Sequence, residues 1–253
     1  MTEVRVGLCG FTMAVDRYIG AYGVVEVQQT FYEPPREVTL RRWRAEVPDR
    51  FEFTLKAWQL VTHDAASPTY RRLKQPLTPE QRAEVGSFRL TPTVVAAWKR
   101  TLACAAILRA TAVLLQCPRS FRPEPDNVAR LRAFFSAVDR PVGVRMLWEP
   151  RGPWPADLVR DLCSELAIVH VVDPFVDATV TPEATYYRLH GITGARHVYS
   201  DAELERLAGM LPSGASQPAY VMFNNLPRIG DAARFSELLA RGSPAPASHG
   251  PVA

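Results

Sequence analysis

The sequence predicts a single-domain (β/α)8 TIM barrel, and three observations carry that expectation. Eight short apolar, β-branched segments recur along the chain with helical or loop-rich spacers between them, the pattern of parallel strands joined by crossovers. Several segments, such as Val113-Leu114-Leu115 and Val169 to Val172, are nearly continuous in apolar residues, which suits strands covered on both faces. The chain has 253 residues, close to the roughly 250 typical of such a barrel.

In order, the expected strands are Val4 to Cys9, Val24 to Gln28, Phe51 to Lys56, Ala112 to Cys117, Val142 to Glu149, Ile168 to Asp173, Thr185 to His190 and Ala219 to Asn224. Between them, Val38 to Val47 places Leu40, Trp43 and Val47 at helical spacing, and Val94 to Leu108 repeats it with Trp98, Leu102, Ala105 and Leu108. Asn127 to Val138 carries Leu131, Phe134 and Val138, and Leu158, Leu162 and Leu166 form the stripe of the next helix. Ser200-Asp201-Ala202-Glu203 reads as a capping box opening a helix that runs through Leu211. The first crossover, Asp16 to Tyr22, and the sixth, Phe175 to Glu183, lack a clear helical stripe. Gln59 to Arg89 is long, polar and dotted with Pro68, Pro76 and Pro79, so an excursion or lid over the top of the barrel is expected there. The barrel domain should span residues 1–241. The tail from Gly242 to Ala253, rich in Gly, Pro, Ser and Ala, is expected to be disordered.

Composition narrows the function classes. With 47% hydrophobic and 22% charged residues, a wholly disordered or collagen-like chain is excluded. The net charge of +4 permits phosphate-bearing partners but falls far short of a dedicated nucleic-acid module. Basic runs such as Arg41-Arg42-Trp43-Arg44 and Tyr70-Arg71-Arg72 read as solvated helix faces, so nucleic acid is only weakly indicated. No apolar run approaches the roughly 20 residues of a membrane span and no signal-peptide pattern opens the chain, so a cytoplasmic protein without a membrane partner is expected. Cys9, Cys104, Cys117 and Cys163 form no Cys-x-x-Cys pair, which indicates reduced thiols rather than a zinc knuckle or disulfide framework. Walker, Gly-x-Gly-x-x-Gly, Gly-x-Ser-x-Gly and His-Glu-x-x-His motifs are absent.

The informative residues are the polar ones at strand ends: Glu26 and Gln28, Lys56, Gln116, Glu149, Asp173, Arg188 and His190, then Asn224 and Asn225. In a barrel the C-terminal strand ends converge on the face that carries chemistry. Lys56 is a candidate general base, Schiff-base amine or anion ligand, against a structural ion pair with Glu149. Glu149 and Asp173 are candidate acid and base, or, with His63 or His190, ligands of a divalent metal. The metal is not favoured, because Lys56 and Arg188 already bring positive charge to that face, and no cofactor is expected. His190, beside Arg188, is the candidate electrophile, whereas His170 has the opposite parity to Asp173 and should face the helices. Glu26, Gln28, His63, Gln116, Arg151, Arg188, Asn224 and Asn225 are expected to contact substrate. Trp43 and Trp98 should be core; Trp58 and Trp154, which follow strands, could line a pocket.

These same residues carry a resemblance. Val25-Glu26-Val27-Gln28-Gln29-Thr30-Phe31-Tyr32, Phe53-Thr54-Leu55-Lys56-Ala57 followed by Thr62-His63, Glu149-Pro150-Arg151 with Trp154, Tyr187-Arg188-Leu189-His190-Gly191 with Tyr199-Ser200, and Phe223-Asn224-Asn225 resemble the YecE-like family, TIM-barrel proteins classed as a domain of unknown function. The resemblance runs from about Val4 to Leu239 and implies the barrel and a top-face site, but no reaction. Gln28 stands where that family more usually has Asn, and Pro150 replaces an aromatic residue.

The expected function is an enzyme using polar acid/base chemistry on a small anionic substrate, phosphorylated ones included. Its rivals are a metal-dependent phosphodiester hydrolase resembling endonuclease IV and a non-catalytic ligand- or nucleic-acid-binding barrel. An anion subsite is expected where the loops after strands seven and eight meet, using Gly191, Gly194, Arg196 and Gly230 near a helix opening at Asp231. Lower in the barrel, Glu52 and Arg145 share inward parity and are expected to pair.

Overall fold

The eight apolar segments are strands, and in the computed structural model, which describes residues 2–242, they pair in parallel, in chain order, to close a barrel. They are β1 (Val4–Cys9), β2 (Val24–Val27), β3 (Glu52–Lys56), β4 (Ala112–Gln116), β5 (Arg145–Glu149), β6 (Val169–Val172), β7 (Tyr186–Leu189) and β8 (Ala219–Phe223). Most are a residue or more shorter than the apolar pattern suggests. The pattern registers burial, and burial continues into the loops beyond the last ladder hydrogen bond.

Helices follow most strands: α1 (Val15–Ala21), α2 (Gln29–Tyr32), α3 (Glu37–Ala45), α4 (Gln59–Thr62), α5 (Pro79–Glu84), α6 (Pro92–Leu108), α7 (Pro125–Ala137), α8 (Ala156–Leu166), α9 (Asp201–Gly209) and α10 (Arg228–Gly242). The expected tail beyond Gly242 lies outside the described residues. The capping box at Ser200 has both arms, the serine hydroxyl accepting from the Glu203 N–H while the Glu203 carboxylate accepts from the Ser200 N–H. The first crossover is a helix despite its weak stripe. It is anchored by Tyr18, whose buried hydroxyl accepts from the Leu8 N–H and donates to the Val24 carbonyl, each at 2.9 Å. The sixth crossover is a loop with one 3-10 turn at Pro182–Ala184.

Inside the barrel, alternate residues form layers. Val24, Ala112, Leu114, Leu147, Val171, Tyr186, Tyr220 and Met222 fill the middle and base. Gly7 is required there, because a Cβ would come within 2.5 Å of the Val24 carbonyl oxygen. At the base, the expected Glu52–Arg145 pair does not form. Arg5 of β1, on the same odd-strand layer, takes Glu52 instead. Tyr220 donates to the Glu52 carboxylate at 2.6 Å, and the Arg145 guanidinium lies 4.4 Å above the Tyr220 ring. A tyrosine thus stands between the two charges.

The Gln59–Arg89 stretch is a packed excursion. Leu60, Val61, Val85 and Phe88 are buried in the outer core, and the Tyr70 hydroxyl donates to the His63 carbonyl at 2.7 Å. Gly86, at φ +84°, lies so close to the His63 carbonyl that a Cβ would clash at 2.5 Å. The excursion therefore fixes His63 at the end of α4.

Candidate active site

The top layer of the barrel is built on one guanidinium. Arg188 points inward from β7, is 1% exposed, and bridges two carboxylates on other strands. Its Nε and Nη2 donate to Glu26 Oε2 and Oε1 at 3.1 and 2.9 Å, and its Nη1 donates to Glu149 Oε2 at 2.5 Å. Nη1 also reaches Gln116 Oε1 at 3.3 Å, and Cys9 Sγ lies 3.8 Å from Nη2. Burial alone would lower the guanidinium pKa, but Glu149 and Glu26 more than offset it and raise it. Burial pushes the Glu149 carboxyl up, and Arg188, then His190, Arg151 and Lys56, outweigh that and hold it below the usual carboxylate value.

Glu26 is sealed. Besides Arg188, it accepts from the Tyr186 hydroxyl at 2.9 Å and from the Gln28 amide. A fully buried carboxylate with both oxygens engaged positions Arg188, and both side chains lie almost wholly beneath the surface of the mouth. Gln28 and Gln116 are half-buried at the rim of the same network.

Lys56 differs from every group around it. It is 6% exposed, and its ammonium sits 3.9 Å from the centre of the Phe31 ring. Among the described residues, no hydrogen bond or ion pair engages its Nζ. Burial, and then the neighbouring Arg188, pull its pKa from 10.5 down to about 8 against the partial support of Glu26 and Glu149. His63 packs on the other contact of the same ring, centroids 4.9 Å apart. Its Nδ1 lies 2.8 Å from the Thr62 hydroxyl, and burial, with Lys56 and Arg151, depresses its pKa to about 3, so it is a neutral imidazole at pH 7.

Opposite, His190 stands between two carboxylates, Nδ1 3.6 Å from Asp173 Oδ2 and Nε2 3.6 Å from Glu149 Oε1. Asp173 also accepts from the His190 backbone N–H at 2.8 Å, which fixes the pair. Arg151, at the rim, approaches Glu149 Oε1 at 3.6 Å and leaves the rest of its guanidinium open to the mouth. Asn224 is half-buried at the end of β8 with its side chain unbonded among the described residues.

The remaining expected residues lie elsewhere. Asn225 is fully buried and donates to the His197 carbonyl and to Asp231 at 2.9 and 2.6 Å, so it braces loops. The cradle expected for an anion has its N–H groups already occupied. Gly191 donates to the Tyr199 hydroxyl, Gly194 to the Gly191 carbonyl, and Gly230 to the Pro227 carbonyl inside the first turn of α10, which opens at Arg228 rather than at Asp231. Arg196 is exposed and unengaged among the described residues. His170 faces away from the axis as parity requires, its Nδ1 accepting from the Val180 N–H. Trp58 and Trp154 brace loops through the Tyr32 and Phe121 carbonyls. The basic runs are engaged too: Arg41 pairs with Glu37, and Arg72 covers the Tyr32 ring. A cleft of about 750 Å³ beyond the ends of α3 and α6 has cations that are likewise held, Arg44 by backbone carbonyls and Arg109 by Asp49.

Glu149 is fixed on a guanidinium, His190 is divided between two carboxylates, and no group of three His, Cys, Asp or Glu side chains among the described residues is spaced to hold an ion.

Fold and site together define a (β/α)8 barrel with a buried carboxylate–guanidinium network and an unpaired amine at the C-terminal ends of its strands. Residues 12–248 match the family described as "Protein of unknown function DUF72". The chain belongs to that family. It resembles the solved structure of a DUF72 family protein of Enterococcus faecalis V583, at 20% identity over 95% of this chain and 98% of that one, with a TM-score of 0.71. A DUF72 family protein of Thermotoga maritima MSB8 is similar at 20% identity over 94% and 99% of the two chains, TM-score 0.68. A D-psicose 3-epimerase solved in the presence of D-fructose shares the fold at 13% identity over 94% and 99%, TM-score 0.59. No curated protein matches the sequence. No helix among the described residues is long and apolar enough to cross a membrane.

Proposed function

We propose that the protein is an enzyme that moves protons on a small anionic substrate at the top of the barrel. The observation that carries this reading is Lys56, a buried amine with its pKa at about 8 and no carboxylate partner among the described residues. Retaining an unpaired buried ammonium costs stability, and a depressed lysine within reach of neutral pH suits acid/base or nucleophilic work. Around it, His190 in its Asp173–Glu149 setting serves as proton donor and acceptor, and neutral His63 accepts or donates a hydrogen bond from Nε2. Arg151 meets the substrate anion, because part of its guanidinium is left open at the rim, and Asn224 orients a hydroxyl. A D-psicose 3-epimerase solved in the presence of D-fructose shares the fold, which supports a hydroxylated substrate.

The test is turnover of a library of small phosphorylated and carboxylated metabolites by the native protein, by Lys56→Ala and by His190→Gln. Loss of at least about a hundredfold in kcat for both variants is expected for general acid/base groups. A substrate turned over equally by all three proteins would reject the assignment.

A further inference from the structure

Only three of the chain's thirty basic residues are lysines; all the others are arginines. Lys74 and Lys99 are exposed on the surface, and the third is Lys56 at the barrel mouth. A guanidinium stays protonated in any protein setting and is a poor nucleophile, whereas a lysine amine can lose its proton and attack carbon. A need for charge at position 56 would be met by arginine, as it is at Arg188, Arg151 and Arg145. What arginine cannot supply is a neutral primary amine.

We propose that Lys56 forms an imine with its substrate, so that the substrate class is small anionic aldehydes and ketones: its Nζ lies over the Phe31 ring, against which His63 also packs, and is free of any ion pair among the described residues. This rests on the reading of Lys56 as the amine that faces substrate. The neutral Nζ attacks the carbonyl carbon, a C–N bond forms as the carbonyl π bond breaks, and one Nζ proton passes to the oxygen to give a carbinolamine. That hydroxyl takes a second proton from His190 and leaves as water while the nitrogen keeps its remaining proton, so amine, carbonyl and the His190 proton give the protonated imine and water without oxidant or reductant and leave His190 neutral. The protonated imine has a cation where the ammonium stood, above the face of Phe31 and within the field of the Glu149 carboxylate, a setting that suits it. It withdraws electrons from the adjacent carbon, whose proton His190 can then remove. Arg151 holds the anionic end.

Burial favours the first step. With its pKa at about 8, Lys56 presents roughly a few hundred times more neutral amine at pH 7 than an unshifted lysine.

The experiment is reductive trapping. The native protein is incubated at pH 7 with pyruvate, glyoxylate or dihydroxyacetone phosphate and sodium cyanoborohydride, then measured by intact mass and peptide mapping. The expected result is one reduced adduct per chain on Lys56, formed at least about tenfold faster than on Lys74 or Lys99, lost in urea and absent from Lys56→Arg. Labelling of Lys74 and Lys99 with Lys56 untouched by every probe overturns the imine. If Lys56 is untouched and Lys56→Ala nonetheless abolishes turnover of a library substrate, the imine falls while the proton-transfer reading stands. If Lys56 is trapped and no substrate is turned over, the imine stands and that reading falls.

Discussion

Lys56→Met removes the amine and keeps an unbranched side chain of similar length in the same buried place. The amine is pulled from 10.5 to about 8, by burial first and by Arg188 second. Each unit is worth about 1.4 kcal/mol, so at neutral pH the ammonium opposes folding by about 3 kcal/mol. Its contact with Phe31 returns roughly 0.5–2 kcal/mol. The variant should therefore be more stable than the native protein at pH 7 by about 1–3 kcal/mol, with a Tm higher by roughly 2–10 °C for a chain of this size. The pH dependence has a definite sign. The folded pKa is lower than the unfolded one, so between about pH 8 and 10.5 the unfolded chain binds more protons, and native stability gains with rising pH what it lacked at neutrality. The advantage of the variant should accordingly shrink across that window. The four cysteine thiols, all pushed up by burial, act in the opposite direction, but equally in both proteins, and cancel in the difference. Urea unfolding of both proteins at pH 7, 8, 9 and 10 provides the measurement. A variant less stable than native at pH 7, or a gap that widens with pH, would show that the ammonium is satisfied in the folded state and would refute the argument for an available amine.

Two further outcomes follow from the buried charges. Arg188→Met leaves Glu26 and Glu149 buried without their shared cation and should destabilise by about 3–5 kcal/mol, read as a lowered urea midpoint; adding Glu26→Gln to that variant should recover part of the loss, and a single variant as stable as native would remove Arg188 from its structural role. His170 is held at about 4 by burial against the pull of Glu149, so as pH falls from 6.5 to 4 the unfolded chain takes up a proton that the folded chain refuses, and stability falls by up to about 1.4 kcal/mol per pH unit. His63 adds a similar slope; His170→Asn, whose amide oxygen can still accept from the Val180 N–H, should leave only the His63 share, and an unchanged slope between pH 4.5 and 6.5 would count against a neutral buried His170.

The barrel was legible because strands covered on both faces must be apolar almost throughout, and Val113-Leu114-Leu115 has few other uses. Parity also placed His170 outward. It failed where a side chain is long enough to leave its layer. Arg188 crosses from β7 to Glu26 on an even-numbered strand, and period-two reasoning about Cβ directions has no term for six bonds of reach. It failed again at Glu52, because three odd strands offer cations or anions at that level and nothing in the sequence says that Arg5, rather than Arg145, is nearer. The glycine loops were ambiguous for a different reason. Gly191 at φ +92° is demanded by a turn closing on itself, and its sequence looks the same whether the N–H groups face a ligand or the chain's own carbonyls.

The Arg188 bridge also bears on how such a barrel can change. Glu26, Glu149 and Arg188 sit on three strands and are held by one another, so no member can be exchanged alone without stranding a charge. Under the proposed function, altered specificity is then confined to what surrounds the tripod: the residues after β5, Arg151 among them, and the segment that carries His63. A laboratory search for new substrates would do well to leave the strand ends intact and diversify those two rims, where a wrong choice weakens binding but leaves the barrel standing.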